Sequence, residues 1–289
     1  MSKTKKAFTL VEFAVVIAIV ATLLLILTSA TTLINNSKIK TLYKEVNNLT
    51  TAINNFKLTY NALPGDFKDG YKFFNSVASC VDELPNSNPA SDYPDQGCNG
   101  DGDGLWDADL YNTGGTGYCC FAEGYLMWQH LSMAKLIKNP TSGSYTGYKI
   151  DATAKSTQQN LYELKALSGA LILPLDSWSS GLNHPNSKGN KLRIGRFTAE
   201  FFAADEGILT SEIAYSFDLK FDDGKPKTGF INSYNFYDIV DGYDGFSEIA
   251  KDCTSLENNN SATTTQLEAA TYNYTNKTAK SCMLEILYN

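Results

Sequence analysis

The stretch with the clearest chemistry is an acidic, glycine-rich segment, NGDGDGLWDAD at positions 99–109. Oxygen donors at alternate positions, followed by a glycine that permits a sharp turn, are typical of the start of an EF-hand-like loop. With residue 99 as position 1, the donors at positions 1, 3, 5, 7 and 9 are Asn99, Asp101, Asp103, the Leu105 carbonyl and Asp107. The pattern predicts a Ca²⁺ site that orders a loop.

This calcium pattern is incomplete, because position 12 is Leu110, where an EF-hand has a bidentate glutamate. Glu123, or Asp92 together with Asp95, would have to supply the missing oxygens through folding. The alternative is an acidic turn without a metal, which is common. Four like charges within nine residues repel one another, and a hard cation would relieve that repulsion.

The cysteines predict disulfide bonds. Six are present, and all follow the apolar N-terminal segment: Cys80, Cys98, Cys119, Cys120, Cys253 and Cys282. An even number behind an export-like start is typical of disulfides formed outside the cytoplasm. The last two stand apart near the C-terminus and are expected to pair. A bridge between the adjacent residues 119 and 120 would be strained, so each is expected to reach back to residue 80 or 98.

Catalytic chemistry is not predicted. The candidate bases are His130, inside an apolar helical pattern, and His184, in a loop-like stretch. The sequence contains no GxSxG, HExxH, P-loop or dinucleotide fingerprint. Acidic pairs such as Asp222 and Asp223 are more typical of solvated turns. We therefore expect that the protein is not an enzyme.

The N-terminal element is strongly apolar. From Phe8 to Leu27, only Thr9, Glu12 and Thr22 are polar, and about twenty apolar residues span a bilayer as a helix. Lysines precede the run and would remain cytoplasmic. The pattern predicts a transmembrane helix over 8–31 with the body of the chain on the other side of the membrane.

The helical pattern continues as an amphipathic segment over 32–60. The apolar positions that recur on one face are Leu33, Ile39, Leu42, Tyr43, Val46, Leu49, Ile53, Phe56 and Tyr60. The Pro-Gly-Asp stretch at 64–66 ends the helix. Residues 8–60 would form a rod of roughly 80 Å.

The remainder, 61–289, predicts one globular domain rich in turns. A helix is expected over 123–138 and strands at 167–173 and 191–197, while 212–221 fits either a strand or a helix. The fold class is therefore α+β, with a long N-terminal helix packed on a domain with an antiparallel sheet and long loops. The net charge of −7 argues against nucleic acid as a partner.

KKAFTLVEF at 5–13 closely resembles the leader and cleavage motif of type IV pilins and type II secretion pseudopilins. The resemblance implies a leader at 1–7, cleavage by prepilin peptidase between Ala7 and Phe8, and N-methylation of Phe8. Ala7 stands where the family usually has glycine. YNALPGDF, NGDGDG and FDDGKPKTG resemble a larger pilin-like subgroup and favour one continuous pilin-like domain.

The resemblance also implies a role. The chain would be a structural subunit of a type IV pilus or a type II secretion pseudopilus. The large body over 61–289 favours a minor or tip-proximal position, because a tip accommodates bulk more easily than a shaft does. It would wait in the bacterial inner membrane with a periplasmic body, and then join other subunits through the inner-membrane assembly platform. Glu12 would pair with the free amine of Phe8 on a neighbouring subunit and set the register. The alternatives are a pilus-borne adhesin and, less favoured, a membrane-anchored periplasmic enzyme.

Overall fold

The computed structural model describes residues 9–75, 98–106, 122–138, 162–175, 189–196, 207–234, 252–256, 262–274 and 279–288, without the side chains of 25–32, 122 and 125. The helices in these ranges are α1 (Leu10–Tyr60), α2 (Gly70–Phe74), α3 (Ala122–Met133), α4 (Ser211–Phe221) and α5 (Thr264–Glu268). The strands are β1 (Tyr162–Glu163), β2 (Leu171–Leu175), β3 (Asn190–Gly195), β4 (Ile231–Tyr234) and β5 (Met283–Tyr288).

Helix α1 dominates the molecule, with 51 residues and a length of roughly 75 Å. It ends where Asn61 adopts the left-handed conformation at φ 52°, which an asparagine tolerates well. In its C-terminal half, one face is buried in the core at positions spaced three or four apart: Ile39, Leu42, Val46, Leu49, Ile53 and Phe56. Leu33, which the periodicity assigned to this face, is 70% exposed.

The predicted membrane-spanning half of this fold is wrong. Among the described residues, no helix is both long and apolar enough to cross a membrane. The predicted inner-membrane location as a single-pass protein falls with it.

The described strands form one antiparallel sheet in the order β1-β2-β3-β5-β4. Apolar side chains of β2, β3 and β5 belong to the same hydrophobic core as the buried face of α1. Tyr288 at the end of β5 donates a hydrogen bond from its hydroxyl to Asn54 Oδ1 of α1, at 2.7 Å. The core therefore continues from the helix into the sheet.

The neighbouring strands β3 and β5 carry a buried ionic group. Arg193 on β3 lies opposite Glu285 on β5, and its Nε donates to Glu285 Oε1 at 2.8 Å. Lys191 Nζ lies 3.4 Å from Glu285 Oε2. All three residues are fully buried, and the nearby cations lower the pKa of the Glu285 carboxyl against the effect of burial.

The stretch that fitted either a strand or a helix is helix α4. Thr210 caps it by accepting a hydrogen bond from the Ile213 amide, and Phe217 is buried against the core. Tyr43 of α1 stacks on Phe221 with ring centroids 3.7 Å apart. The four-residue spacing of Ile213, Phe217 and Phe221, together with the Thr210 cap, is consistent with the helix rather than with the alternating pattern of a strand.

The C-terminal disulfide has the predicted partners, since Cys253 and Cys282 are bonded to each other. The bridge fixes the segment before α5 to the start of β5. Cys98 is also disulfide-bonded. Cys80, Cys119 and Cys120 lie outside the described residues.

Candidate functional site

Glu12 lies in the first turn of α1 and forms a capping box with Thr9. The Thr9 amide and hydroxyl each donate to Glu12 Oε2 at 2.8 Å, and the Glu12 amide donates to Thr9 Oγ1 at 3.3 Å. Two hydrogen bonds lower the pKa of the Glu12 carboxyl: the bond from the Thr9 amide has the larger effect, and the bond from the Thr9 hydroxyl has the smaller. A carboxylate with a lowered pKa therefore lies in the first turn of the helix. The predicted processing residues Ala7 and Phe8 lie outside the described residues.

A second candidate lies where the loop after α1 meets the NGDGDG segment and α3. One carboxylate oxygen each from Asp66, Asp101 and Glu123 lies within 4.8 Å of the others, an arrangement that could hold a metal ion. Asp66 and Glu123 are buried, whereas Asp101 is exposed. The cluster thus opens to solvent on the side of Asp101.

Asp66 is the least satisfied member of this cluster. It is 3% exposed, its Oδ2 accepts a hydrogen bond from the Gly104 amide at 3.0 Å, and its Oδ1 is buried without a hydrogen-bond partner. Burial raises the pKa of Asp66 to about 7, the amides of Gly104 and Gly102 oppose the rise, and the carboxylates of Asp103 and Asp101 add to it. The site holds a carboxylate that the surrounding protein groups do not fully stabilise.

The 98–106 loop is held on several sides. The Asp101 amide donates to Glu123 Oε1 at 3.0 Å, which joins the loop to α3. Trp106 is buried, its indole donates to the Pro64 carbonyl at 2.8 Å, and its amide donates to Asn190 Oδ1 on β3 at 2.8 Å. The positions of the three carboxylates are therefore set by anchored backbone.

Two glycines allow the segments of the site to approach each other. A Cβ on Gly100 would lie 2.3 Å from the Gly65 carbonyl oxygen. Gly65 adopts φ +100°, and a Cβ there would lie 2.4 Å from the Glu123 carbonyl oxygen. Any side chain at either position would push the carboxylates apart.

His130 connects the loop after α1 to the 98–106 loop and is fully buried. Its Nδ1 accepts a hydrogen bond from the Gly65 amide at 2.8 Å, so Nε2 is the protonated nitrogen and donates to the Cys98 carbonyl at 2.8 Å. Burial lowers the pKa of His130 to about 4. With both nitrogens engaged, His130 has the structural role that the sequence favoured. His184 lies outside the described residues.

The calcium ligands predicted from the sequence are only partly brought together. Asp101 is part of the cluster, but Asn99 Oδ1 accepts a hydrogen bond from the Tyr71 amide at 2.8 Å, and Asp103 Oδ1 accepts one from the Leu105 amide at 2.8 Å. Asp107 lies outside the described residues. The sequence reasoning missed Asp66, which it had read as part of a helix stop.

Asp218, Asp222 and Asp223 form another acidic group of similar size. Here each carboxylate accepts hydrogen bonds from the protein. Asp218 accepts from the Gly224 amide and the Tyr272 hydroxyl, Asp222 from the Phe230 and Ile231 amides, and Asp223 from the Lys225 amide and the Thr228 hydroxyl. This group is a self-satisfied turn, as the sequence had suggested for Asp222 and Asp223.

Comparisons with protein-family models, curated proteins and solved structures found no match for this chain.

Proposed function

We propose that this chain is a structural subunit of a type IV pilin-like filament, either a pilus or a secretion pseudopilus. The observation that carries the proposal is the contrast between the two halves of α1. Large apolar side chains between Leu10 and Leu24 are 49–85% exposed, whereas Ile39 to Phe56 supply a buried face. The first half therefore presents apolar surface for contacts with other molecules.

The apolar surface surrounds the first half of the helix. Val15, Val16 and Ile17 are consecutive, about 100° apart around the axis, and are 51–52% exposed. Burial of apolar surface contributes about 25 cal/mol per Å², so such a helix is stabilised by partners on all sides. A bundle of equivalent helices from further subunits can cover the helix on all sides. A groove on a single partner would cover only one side.

Glu12 gives the bundle a means of setting register. A carboxylate that enters a bundle loses water and needs a positive partner. Cleavage between Ala7 and Phe8 would create an amine at residue 8, close to the helix start where the capping box holds Glu12. An amine of one subunit and Glu12 of its neighbour would then pair at one axial offset.

The first experiment is the mass of the mature N-terminus, from cells with and without prepilin peptidase. The proposal expects a peptidase-dependent start at Phe8 that carries one methyl group. A retained Met1 leader in cells with active peptidase would overturn the proposal.

The second experiment compares Glu12→Gln and Glu12→Leu with the control Glu212→Gln, an acid in the first turn of α4. Cells with a matching assembly system are sheared, and the subunit is quantified in the filament fraction. Both Glu12 variants should be cleaved normally yet fall at least about tenfold in the filament fraction, while the control assembles. Normal assembly of Glu12→Gln would remove the register role.

A further inference from the structure

We propose that Asp66, Asp101 and Glu123 bind one Ca²⁺ and that this ion joins three separate segments of the chain. The segments are the loop after α1, the 98–106 loop and the start of α3. This inference goes beyond the filament role and does not depend on it. It also differs from a contiguous EF-hand-like loop, because two of the three ligands come from outside the NGDGDG segment.

The distances suit calcium. Ca²⁺ binds oxygen ligands at 2.3–2.6 Å, so one ion can contact two oxygens that are up to roughly 5 Å apart. The three carboxylate oxygens lie within 4.8 Å of one another. A single cation between them can therefore reach all three without a large movement of the backbone.

The unpartnered oxygen of Asp66 is an independent reason to expect a ligand. A buried polar atom without a hydrogen bond costs free energy, and a charged one costs more. Asp66 is only 3% exposed, and its Oδ1 has no hydrogen-bond partner. In the group of Asp218, Asp222 and Asp223, the carboxylates accept hydrogen bonds from backbone amides and from the Tyr272 hydroxyl. That group therefore gives no comparable reason to expect a bound cation.

The donor chemistry selects a hard cation. The cluster offers carboxylate oxygens, and the nearby imidazole of His130 has both nitrogens engaged in hydrogen bonds. Oxygen-only sites suit Ca²⁺, Mg²⁺ or Mn²⁺ rather than Zn²⁺. Calcium is favoured over magnesium because carboxylates from three separate segments give an irregular arrangement, while Mg²⁺ demands near-ideal octahedral geometry.

The test is isothermal titration calorimetry of the full chain in detergent. The protein is first treated with EDTA to remove bound metal, and it is then titrated with CaCl₂ and, in a parallel experiment, with MgCl₂. We expect one site that binds Ca²⁺ at least about tenfold more tightly than Mg²⁺. Calcium should also raise the unfolding temperature by several degrees, because it binds only the folded state. No heat of binding, with an unfolding temperature that does not respond to EDTA, would overturn the proposal.

Variants identify the ligands. Asp66→Asn and Glu123→Gln should each weaken Ca²⁺ binding at least about tenfold, while the matched control Asp223→Asn should bind as the parent does. Asp103→Asn tests the contiguous loop. If Asp103→Asn loses Ca²⁺ binding while Asp66→Asn binds Ca²⁺ as the parent does, the three-segment site is overturned. Loss of binding only in Asp223→Asn would overturn it too.

Misfolding is separated from ligand loss by the unfolding temperature in EDTA. Asp66→Asn removes a buried carboxylate that faces two others, so its unfolding temperature without calcium should equal or exceed that of the parent. A variant that simply failed to fold would show the reverse. Because these readouts use purified chain, failure of the metal site leaves the filament proposal untouched, and failure of assembly leaves the metal site untouched.

Discussion

At the scale of single residues, His130 shows how one neutral imidazole can hold two loops together. It accepts from the Gly65 amide and donates to the Cys98 carbonyl, which requires one proton on the ring. A second proton would remove the acceptor that Gly65 uses. The loop contacts that hold the acidic cluster in place therefore depend on an unprotonated Nδ1.

Acid should weaken the fold through His130. Its pKa is lowered to about 4 in the folded state, against about 6.5 in the unfolded chain, so the unfolded state binds the proton first. The stabilising contribution is complete above pH 6.5 and is lost as the pH falls to about 4, by roughly 3 kcal/mol. Urea unfolding of the parent and of His130→Gln between pH 4 and 7 measures this difference. Parallel curves for the two proteins would contradict it.

Asp218 should act in the opposite direction. Its pKa is raised to about 7, first by burial, while the Tyr272 hydroxyl opposes the rise. The folded state therefore holds the proton longer than the unfolded state, whose pKa is near 3.9. Its stabilising contribution is complete below pH 4 and declines as the pH rises to about 7, by roughly 2–4 kcal/mol.

The variant Asp218→Asn isolates this contribution. Relative to the parent, its free energy of unfolding should rise progressively between pH 4 and 7 in urea titrations. A constant difference across that range would show that Asp218 does not titrate there.

Spacing alone could not predict the ligand set of the acidic cluster. Asp101 was found because alternating oxygens in NGDGDG are a local pattern. Asp66 follows Pro64 and Gly65, and that local sequence indicates a turn as readily as a ligand. The cluster exists because Gly65 and Gly100 let two distant loops touch, and such a contact leaves no periodic signal in the sequence.

At the scale of elements, Glu45 connects α1 to the turn between β1 and β2. Its Oε1 accepts from the Lys165 amide at 3.0 Å, and its Oε2 accepts from the Ala166 amide at 2.9 Å. One side chain thus fixes the long helix to the edge of the sheet. Apolar packing alone would permit small shifts along the axis.

Glu45→Ala should lower the free energy of unfolding by about 1–2 kcal/mol, because two backbone donors lose a charged acceptor. Lys44→Ala is the matched control, since Lys44 is an exposed neighbour on the same helix, and it should change stability by less than about 0.5 kcal/mol. Urea unfolding followed by tryptophan fluorescence checks both. Equal effects of the two substitutions would contradict a specific role for the Glu45 carboxylate, since alanine is itself the best helix former.

Local periodicity served well for helices and less well for their ends. The spacing in α1 placed Ile39, Val46 and Phe56 on the buried face, where they lie. The predicted helix over 123–138 stops at Met133, and Lys135 adopts the left-handed conformation at φ 59°. The sequence at this point has no glycine or proline that would end a helix, so tertiary contacts rather than local sequence set the boundary.

At the scale of the whole molecule, the part of α1 before residue 25 makes no buried contact within the described residues. Deletion of 1–24 should therefore change the free energy of unfolding by less than about 1 kcal/mol. The filament proposal further predicts that the same deletion abolishes self-association. Urea unfolding and sedimentation velocity of both forms provide the measurement. An unfolded deletion variant would contradict this division into an exposed rod and a self-contained body.

The buried face of α1 has a mechanical consequence. Contacts from Ile39 to Phe56, with Glu45 and Asn54 beside them, run parallel to the helix axis. A pull along that axis loads all of them at once in shear, whereas a pull across it peels them apart turn by turn. The molecule should resist axial tension far better than transverse tension, and optical-trap pulling in the two geometries would measure the ratio of rupture forces.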